Sequence, residues 1–339
     1  MKIKKELKRI LVIQTASIGD VVLATPVVEK LKDFYPEAKI DFLVKNGIES
    51  LLTSHPKIKR VLVWDKSSEK YKHLNQLITV IKERNYDAVV NLQRFASSGL
   101  VTAFSGADIS LGFRKNPFSI FFTKSVKHKI SVDPSKSEHE TDRNLSVIDS
   151  ITDGSRNYPL KLYPSQTDFA KVSQYKTKKY ICLAPTSLWF TKQYPPEKWV
   201  EFLSEVDKDL MVYFLGSAKD SEACGNIIRE SGHTNSLNLS GKLSFLESAA
   251  LMKDAFMNFV NDSAPQHFAS AMNAPVTSIF CSTVPAFGFG PLSDNSLVIE
   301  TDENLDCKPC GLHGFNSCPK KHYKCALTIK KEKLLARIS

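Results

Sequence analysis

The stretch ILVIQTASIGDVVLATPVV, residues 10–28, decides the fold. It opens on Ile10–Ile13, wholly apolar and rich in β-branched side chains, the pattern of a strand buried on both faces. From Val21 to Leu31 the apolar residues recur at helical spacing. Between the two, Ser17-Ile18-Gly19-Asp20 reads as a strand-to-helix turn. In open α/β sheets such turns line the ligand crevice at the carboxyl ends of the strands. Asp20 has two readings there. It is a helix cap, because its short side chain accepts from unpaired N–H groups, or it is a carboxylate presented to a substrate. The turn alone favours neither.

Working outward, strand-like runs at 9–14, 39–44, 59–64 and 86–93 alternate with helix-like runs at 21–34, 47–54 and 71–84. Such alternation implies a parallel sheet covered by helices on both faces. Residues 117–137 are aromatic and basic with no clean period. Residues 138–150 read as a helix, and ITDGSRNYPLKLYPSQTD, 151–168, as a linker. The pattern then starts again. Strands are expected at 180–184, 210–215, 256–261 and 276–281, and helices at 196–206, 221–231, 245–253 and 264–272. The expected class is α/β, with two doubly wound domains at 1–160 and 161–327. A helix within 328–339 is expected to pack back across them.

The chain has 339 residues, 42% of them hydrophobic, and a formal net charge of +10. That length suits two domains. No apolar run approaches the roughly eighteen residues of a membrane span. MKIKKELKRILVIQ at the start has too short an apolar part, and no small-residue cleavage site, for a signal peptide. It reads as a basic arm before the first strand. The positive charge implies an anionic partner. No aromatic-interleaved nucleic-acid motif accompanies it, so nucleic acid is not expected.

Three loops in the second half suit an anionic ligand. NFVNDSAPQHFASAM places Asp262 and Ser263 before a helix starting at Ala264, with His267 one turn on. A helix N-terminus with unpaired N–H groups binds phosphate well. LAPTSLWFTKQYPPEKW passes through Thr186 and Ser187 and delivers Lys192 to the start of the next helix. FLGSAKDSE brings Ser217, Asp220 and Glu222 to a third helix start, where acidic groups suit ribose hydroxyls. Each has a plain reading as capping or as a surface charge. Together, at the ends of neighbouring strands, they describe a nucleotide-diphosphate pocket.

The ordered set ILVIQTASIGDVVLATPVV, NLQ with LGFRKN, HETDRNL, TKQYPPEKW, LGSAKDSE, NLSGKLSFLESAALM, NDSAPQHFASAM and CKPC…C…C resembles glycosyltransferase family 9. These are the ADP-heptose:lipopolysaccharide heptosyltransferases, and the likeness is more to the second-heptose type. The resemblance covers nearly the whole chain. It implies a GT-B fold, two Rossmann-like domains facing a central cleft, the first for the acceptor and the second for the nucleotide sugar. It implies inverting transfer with Asp20 as the base. The chemistry suits the position, since inversion needs one carboxylate to take the proton of the attacking hydroxyl. The helix at Ala264 and Lys192 would hold the departing ADP without a metal. Gly19, Arg94, Arg114, Lys115, His139 and Arg143 are the acceptor-side candidates, a basic wall for a saccharide carrying carboxylates and phosphates.

The chain departs from the family in two places. Ala264 stands where glycine is usual, and TSLWFTKQ lacks the usual glycine-rich opening. Transfer from another nucleotide sugar, or binding without turnover, therefore stay open. A dinucleotide oxidoreductase is disfavoured, because no G-x-G-x-x-G follows either first strand. Cys307, Cys310, Cys318 and Cys325 have spacing that admits a structural zinc site, with free thiols or an oxidised pair as alternatives. No cofactor is expected to be required. The expected place of action is cytoplasmic, peripheral at the inner-membrane face, with an anionic membrane surface and a lipid-linked anionic saccharide as partners.

Overall fold

The structure is a computed structural model and describes residues 6–66 and 69–339. Residues 1–5 of the expected basic arm lie outside the described residues. The chain forms two compact units, 1–129 with 138–163, and 130–137 with 164–339.

The first unit holds β1 (Arg9–Ile13), β2 (Lys39–Lys45), β3 (Ile58–Trp64), β4 (Ala88–Asn91), β5 (Ile109–Phe113) and β6 (Lys124–Val126). They pair in the order β3-β2-β1-β4-β5-β6, all parallel. Parallel neighbours need crossover connections. Those here include α1 (Ile18–Leu23), α2 (Thr25–Phe34), α3 (Lys70–Glu83) and α4 (Ala96–Ala103), and α5 (Glu140–Ser146) follows the sheet. Ile10–Ile13 and all of β4 are buried, so the centre of the sheet is apolar on both faces. The strand order reverses between β1 and β4, which places the crevice over their carboxyl ends.

One helix was expected over 21–34, and the chain breaks it at Ala24. Pro26 is the cause. It has no N–H to give to the carbonyl of Val22, four residues back. The Thr25 hydroxyl donates to that carbonyl instead, at 2.7 Å.

The second unit repeats the plan with β7 (Tyr180–Ala184), β8 (Met211–Phe214), β9 (Ser236–Asn238), β10 (Met257–Asn261), β11 (Val276–Ile279) and β12 (Ser296–Ile299). Their order is β12-β11-β10-β7-β8-β9. The reversal now falls between β7 and β10. The helices are α6 (Gln166–Val172), α7 (Pro196–Glu205), α8 (Ser221–Ser231), α9 (Phe245–Lys253), α10 (Ala264–Ala271), α11 (Lys324–Leu327) and α12 (Glu332–Leu335). Trp199, Phe202, Phe214 and Phe259 are fully buried in one core, which also takes Ile329 and Leu334. Thus the terminal segment packs on the second unit as two short helices, not as one helix over 328–338. Thr328 turns its hydroxyl back onto the Lys324 carbonyl at 2.7 Å, a bond that competes with helix propagation. Residues 130–137 belong to this unit, and Ser137 donates to the Ala286 carbonyl at 2.7 Å.

Candidate active site

In the first unit the turn after β1 is a capping box. The Asp20 amide donates to Ser17 Oγ at 3.2 Å. Asp20 Oδ2 in turn accepts from the Ser17 amide at 3.0 Å and its hydroxyl at 2.5 Å. Oδ1 takes no hydrogen bond among the described residues. Ser17 is thus the N-cap of α1, and Asp20 closes the box through one oxygen while the other is unbonded among the described residues. Beside it, Thr15 Oγ1 lies 2.7 Å from the Gln93 amide and accepts from Lys66 Nζ at 2.8 Å. Lys66, whose ammonium sits 4.3 Å from the Trp64 ring, is a cation the sequence reading passed over. Gly19 is buried within α1.

In the second unit the loops after β7 and β10 are tied together. Asn261 donates to the Pro185 carbonyl at 2.7 Å and accepts from the Tyr194 amide at 2.8 Å. This fixes the ends of the loop that carries Thr186, Ser187 and Lys192, the first two half-buried. Lys192 Nζ lies 2.6 Å from Asp262 Oδ2. Asp262 is buried and also accepts from Gln266 at 3.0 Å and Thr283 at 2.6 Å. Ser263 is the N-cap of α10 by position, yet its side chain makes no capping bond. Ser263 and Ala264 are half-buried at the helix start, and His267 is buried one turn on. Lysine, hydroxyl and helix start thus lie together at the switch point, groups of a kind that can hold an anion.

The loop after β8 forms a second capping box. The Ser217 amide and hydroxyl donate to Asp220 Oδ2 at 2.7 and 2.6 Å. Glu222, exposed in the first turn of α8, is the carboxylate facing outward there. Gly241, at φ +74°, lets the next loop close on this one: a Cβ there would lie 2.6 Å from Ala218 Cα.

Residues 74–315 match the family described as glycosyltransferase family 9 (heptosyltransferase). The chain belongs to that family, and it is a glycosyltransferase. It is 30% identical over 296 residues to lipopolysaccharide heptosyltransferase 3 of Escherichia coli, covering 82% of this chain and 85% of that protein. Among solved structures, the E. coli ADP-heptose lps heptosyltransferase II aligns with a TM-score of 0.77 at 21% identity, covering 97% of each chain. A family 9 glycosyl transferase from Veillonella parvula aligns at 0.82 and 21%, covering 98% of this chain and 97% of that one. The fold is thus GT-B, built of two Rossmann-like domains.

Of the acceptor-side candidates, Arg94 is half-buried and Lys115 exposed. Arg114 is exposed and donates to the Ser125 carbonyl at 3.3 Å. Arg143 is 1% exposed, pairs with Glu140 at 2.6 Å and donates to the carbonyls of Glu138 and Lys129. Glu140 also meets His128 at 3.0 Å. Against burial, which raises it, the Glu140 carboxyl is held below the ordinary value by His128 and Arg143. A buried guanidinium held this way braces α5. His139 caps the same helix, its Nδ1 accepting from the Thr141 amide at 3.3 Å.

The cysteine-rich segment admits a zinc site, free thiols or an oxidised pair. All seven cysteines are free thiols. Among the described residues no group of three or more His, Cys, Asp or Glu side chains is placed to hold a metal. Cys307 Sγ meets His322 Nε2 at 3.7 Å, and burial pushes the Cys325 thiol up to about 11. What the segment does is brace the Lys192 loop. Thr191 and Phe315 exchange bonds: the Thr191 amide donates to the Phe315 carbonyl at 3.1 Å and the Phe315 amide to the Thr191 hydroxyl at 2.8 Å. Tyr323 stacks on Phe190 at 4.9 Å. Gly314, at φ +85°, allows the closest approach, since a Cβ there would sit 3.0 Å from Lys192 Cγ.

Proposed function

We propose that this enzyme moves heptose from ADP-heptose onto the lipopolysaccharide inner core by an inverting, metal-independent step. The observation that carries the proposal is Asp20 at the switch point, held through one oxygen and open at the other. Asp20 takes the proton of the acceptor hydroxyl as that oxygen bonds the anomeric carbon and the bond to ADP breaks. Charge develops on the leaving diphosphate, where Lys192, Ser263 and the first N–H groups of α10 stabilise it. Thr186 and Ser187 line the same loop, and Glu222 takes the ribose. Asp220 shapes the turn, and Asp262 holds Lys192 and the start of α10. Arg94, Arg114 and Lys115 face the acceptor's anionic groups.

The ADP-heptose donor is supported by the heptosyltransferase family and by the neighbouring E. coli structure, an ADP-heptose lps heptosyltransferase. We place the reaction at the cytoplasmic face of the inner membrane, on a lipid-linked acceptor. Among the described residues no helix is long and apolar enough to cross a membrane. The second-heptose type is our first assignment of acceptor position. The third is favoured by the name of the relative at 30% identity. The test is transfer from ADP-heptose, beside other nucleotide sugars, to core saccharides truncated before each heptose. Turnover with another sugar nucleotide in preference to ADP-heptose overturns the donor, and the truncation that accepts heptose decides the type.

A further inference from the structure

Around the loop after β5 lie aromatic and basic residues that transfer chemistry does not use. Residues 109–129 contain Arg114, Lys115, Lys124, Lys127 and Lys129 and no aspartate or glutamate. They also contain Phe113, Phe118, Phe121 and Phe122. The structure divides these aromatic residues. Phe113 and Phe122 are buried anchors, and Phe122 packs so closely on Gly112 that a Cβ there would come within 2.7 Å. Asn116, also buried, donates to the carbonyls of Gln93 and Phe95 at 3.2 and 3.0 Å, which joins the loop after β5 to the loop after β4. Further bonds, Phe121 to Phe118 at 3.0 Å and Ser119 to Arg114 at 3.0 Å, fix the loop's own shape.

Out of this fixed frame project Ile120, 82% exposed, Phe121, 63% exposed, and Phe95, 62% exposed. Arg114, Lys115, Lys124 and Lys127 around them are exposed too. Large apolar side chains held in water by a well-bonded loop mark an interaction surface. A rim of one charge sign, with no carboxylate in the segment, marks a partner that is anionic and laterally extended.

We propose that the loops after β4 and β5 dock this domain on an anionic phospholipid bilayer. Ile120, Phe121 and Phe95 enter the headgroup boundary, and Lys124 and Lys127 meet lipid phosphates. Interfacial segments bind by this combination of buried apolar area and basic charge. The same carboxyl end of the sheet carries Asp20, so docking brings the base towards the membrane plane. In this respect the inference deepens the proposed lipid-linked acceptor and rests on it, though the docking test does not.

The test is flotation of the full chain with vesicles of phosphatidylglycerol in phosphatidylcholine, against phosphatidylcholine alone. Wild type is expected to partition onto the anionic vesicles. Ile120→Ser with Phe121→Ser should weaken partitioning at least about tenfold. Lys124→Gln with Lys127→Gln should weaken it several-fold at low salt, an effect that high salt removes. Tyr71→Ser, an exposed aromatic elsewhere, should change nothing. An Ile120→Trp variant should show a blue shift in emission on anionic vesicles. Equal partitioning of wild type and the serine double variant overturns the proposal. So does self-association that the serine variant abolishes without vesicle binding in any form, which would put a second copy on the patch. Transfer to a water-soluble core saccharide, run beside this, should be unchanged in the serine variant. If wild type lacks that transfer but binds vesicles as described, the transferase reading fails and the docking surface stands.

Discussion

Ser17–Asp20 and Ser217–Asp220 are the same local device in two domains. Each is Ser-x-x-Asp closing a strand-to-helix turn, and in each the serine amide and hydroxyl both bond the aspartate's Oδ2. They differ in the strand they follow. β1 is central, with β2 on one side and β4 on the other, where the order reverses. β8 lies one strand outward, between β7 and the edge strand β9. The box sets the direction of the carboxylate, and the topology decides whether a ligand meets it. In the second domain the turns at the switch point are those after β7 and β10, and the Ser263 turn after β10 lacks the capping box altogether.

The largest expected effect tests that asymmetry. Asp20→Asn should lower turnover by about 10²–10⁴-fold. ADP binding by calorimetry should be unchanged and stability nearly so, because the asparagine oxygen can still accept from the Ser17 amide and hydroxyl. Near-normal turnover in a folded variant would remove Asp20 as the base.

Lys192→Ala should weaken ADP binding by about 1.5–3 kcal/mol, the range for hydrogen bonds to charged groups. It also strips the buried Asp262 of its cation, so a lower Tm should accompany it. Unchanged affinity would make Lys192 a structural partner of Asp262 only.

Asp220→Ala sharpens the comparison from the other side. Loss of the cap should cost about 1 kcal/mol of stability, with turnover close to wild type. A collapse of turnover like that of Asp20→Asn would show that position in the sheet does not separate the two boxes.

Ala264→Gly should lower stability by roughly 0.5–1 kcal/mol, since glycine is the poorer helix residue. ADP affinity should stay equal or rise. A large loss of affinity would mean that the methyl group touches the donor. Smallest of all should be the response to excess chelator in a short assay, where turnover is expected to persist. Activity that vanishes and returns with magnesium or manganese would sink the metal-free step.

The alternation of strands and helices was readable because parallel strands buried on both faces write themselves as apolar runs. Asp20, Lys192 and Asp262 were readable for the same reason: each follows such a run. Four strands were not: β6, β9 and β12 are short, mostly unburied edge strands, and β5 breaks its apolar run with Ser110 and Gly112. The fate of Arg143 was hidden as well. Glu140 and Arg143 have ordinary helix-surface spacing, and only His128, arriving from another segment, shows that the pair is buried. Lys66 and Gly314 carry no local signal. Their meaning comes from residues far away in the chain, Thr15 for one and Lys192 for the other.

The bracing of the Lys192 loop by Gly314, Phe315 and Tyr323 has a consequence for how the enzyme comes into being. A ribosome delivers the chain from its amino end, and domains fold as they emerge. The Asp20 turn has all its bonding partners within the first domain and can take shape early. The Lys192 loop lacks its support until more than a hundred further residues have been made. A chain stalled or clipped before Tyr323 would therefore carry a finished Asp20 turn and an unbraced Lys192 loop. The loop's shape waits on residues made long after it.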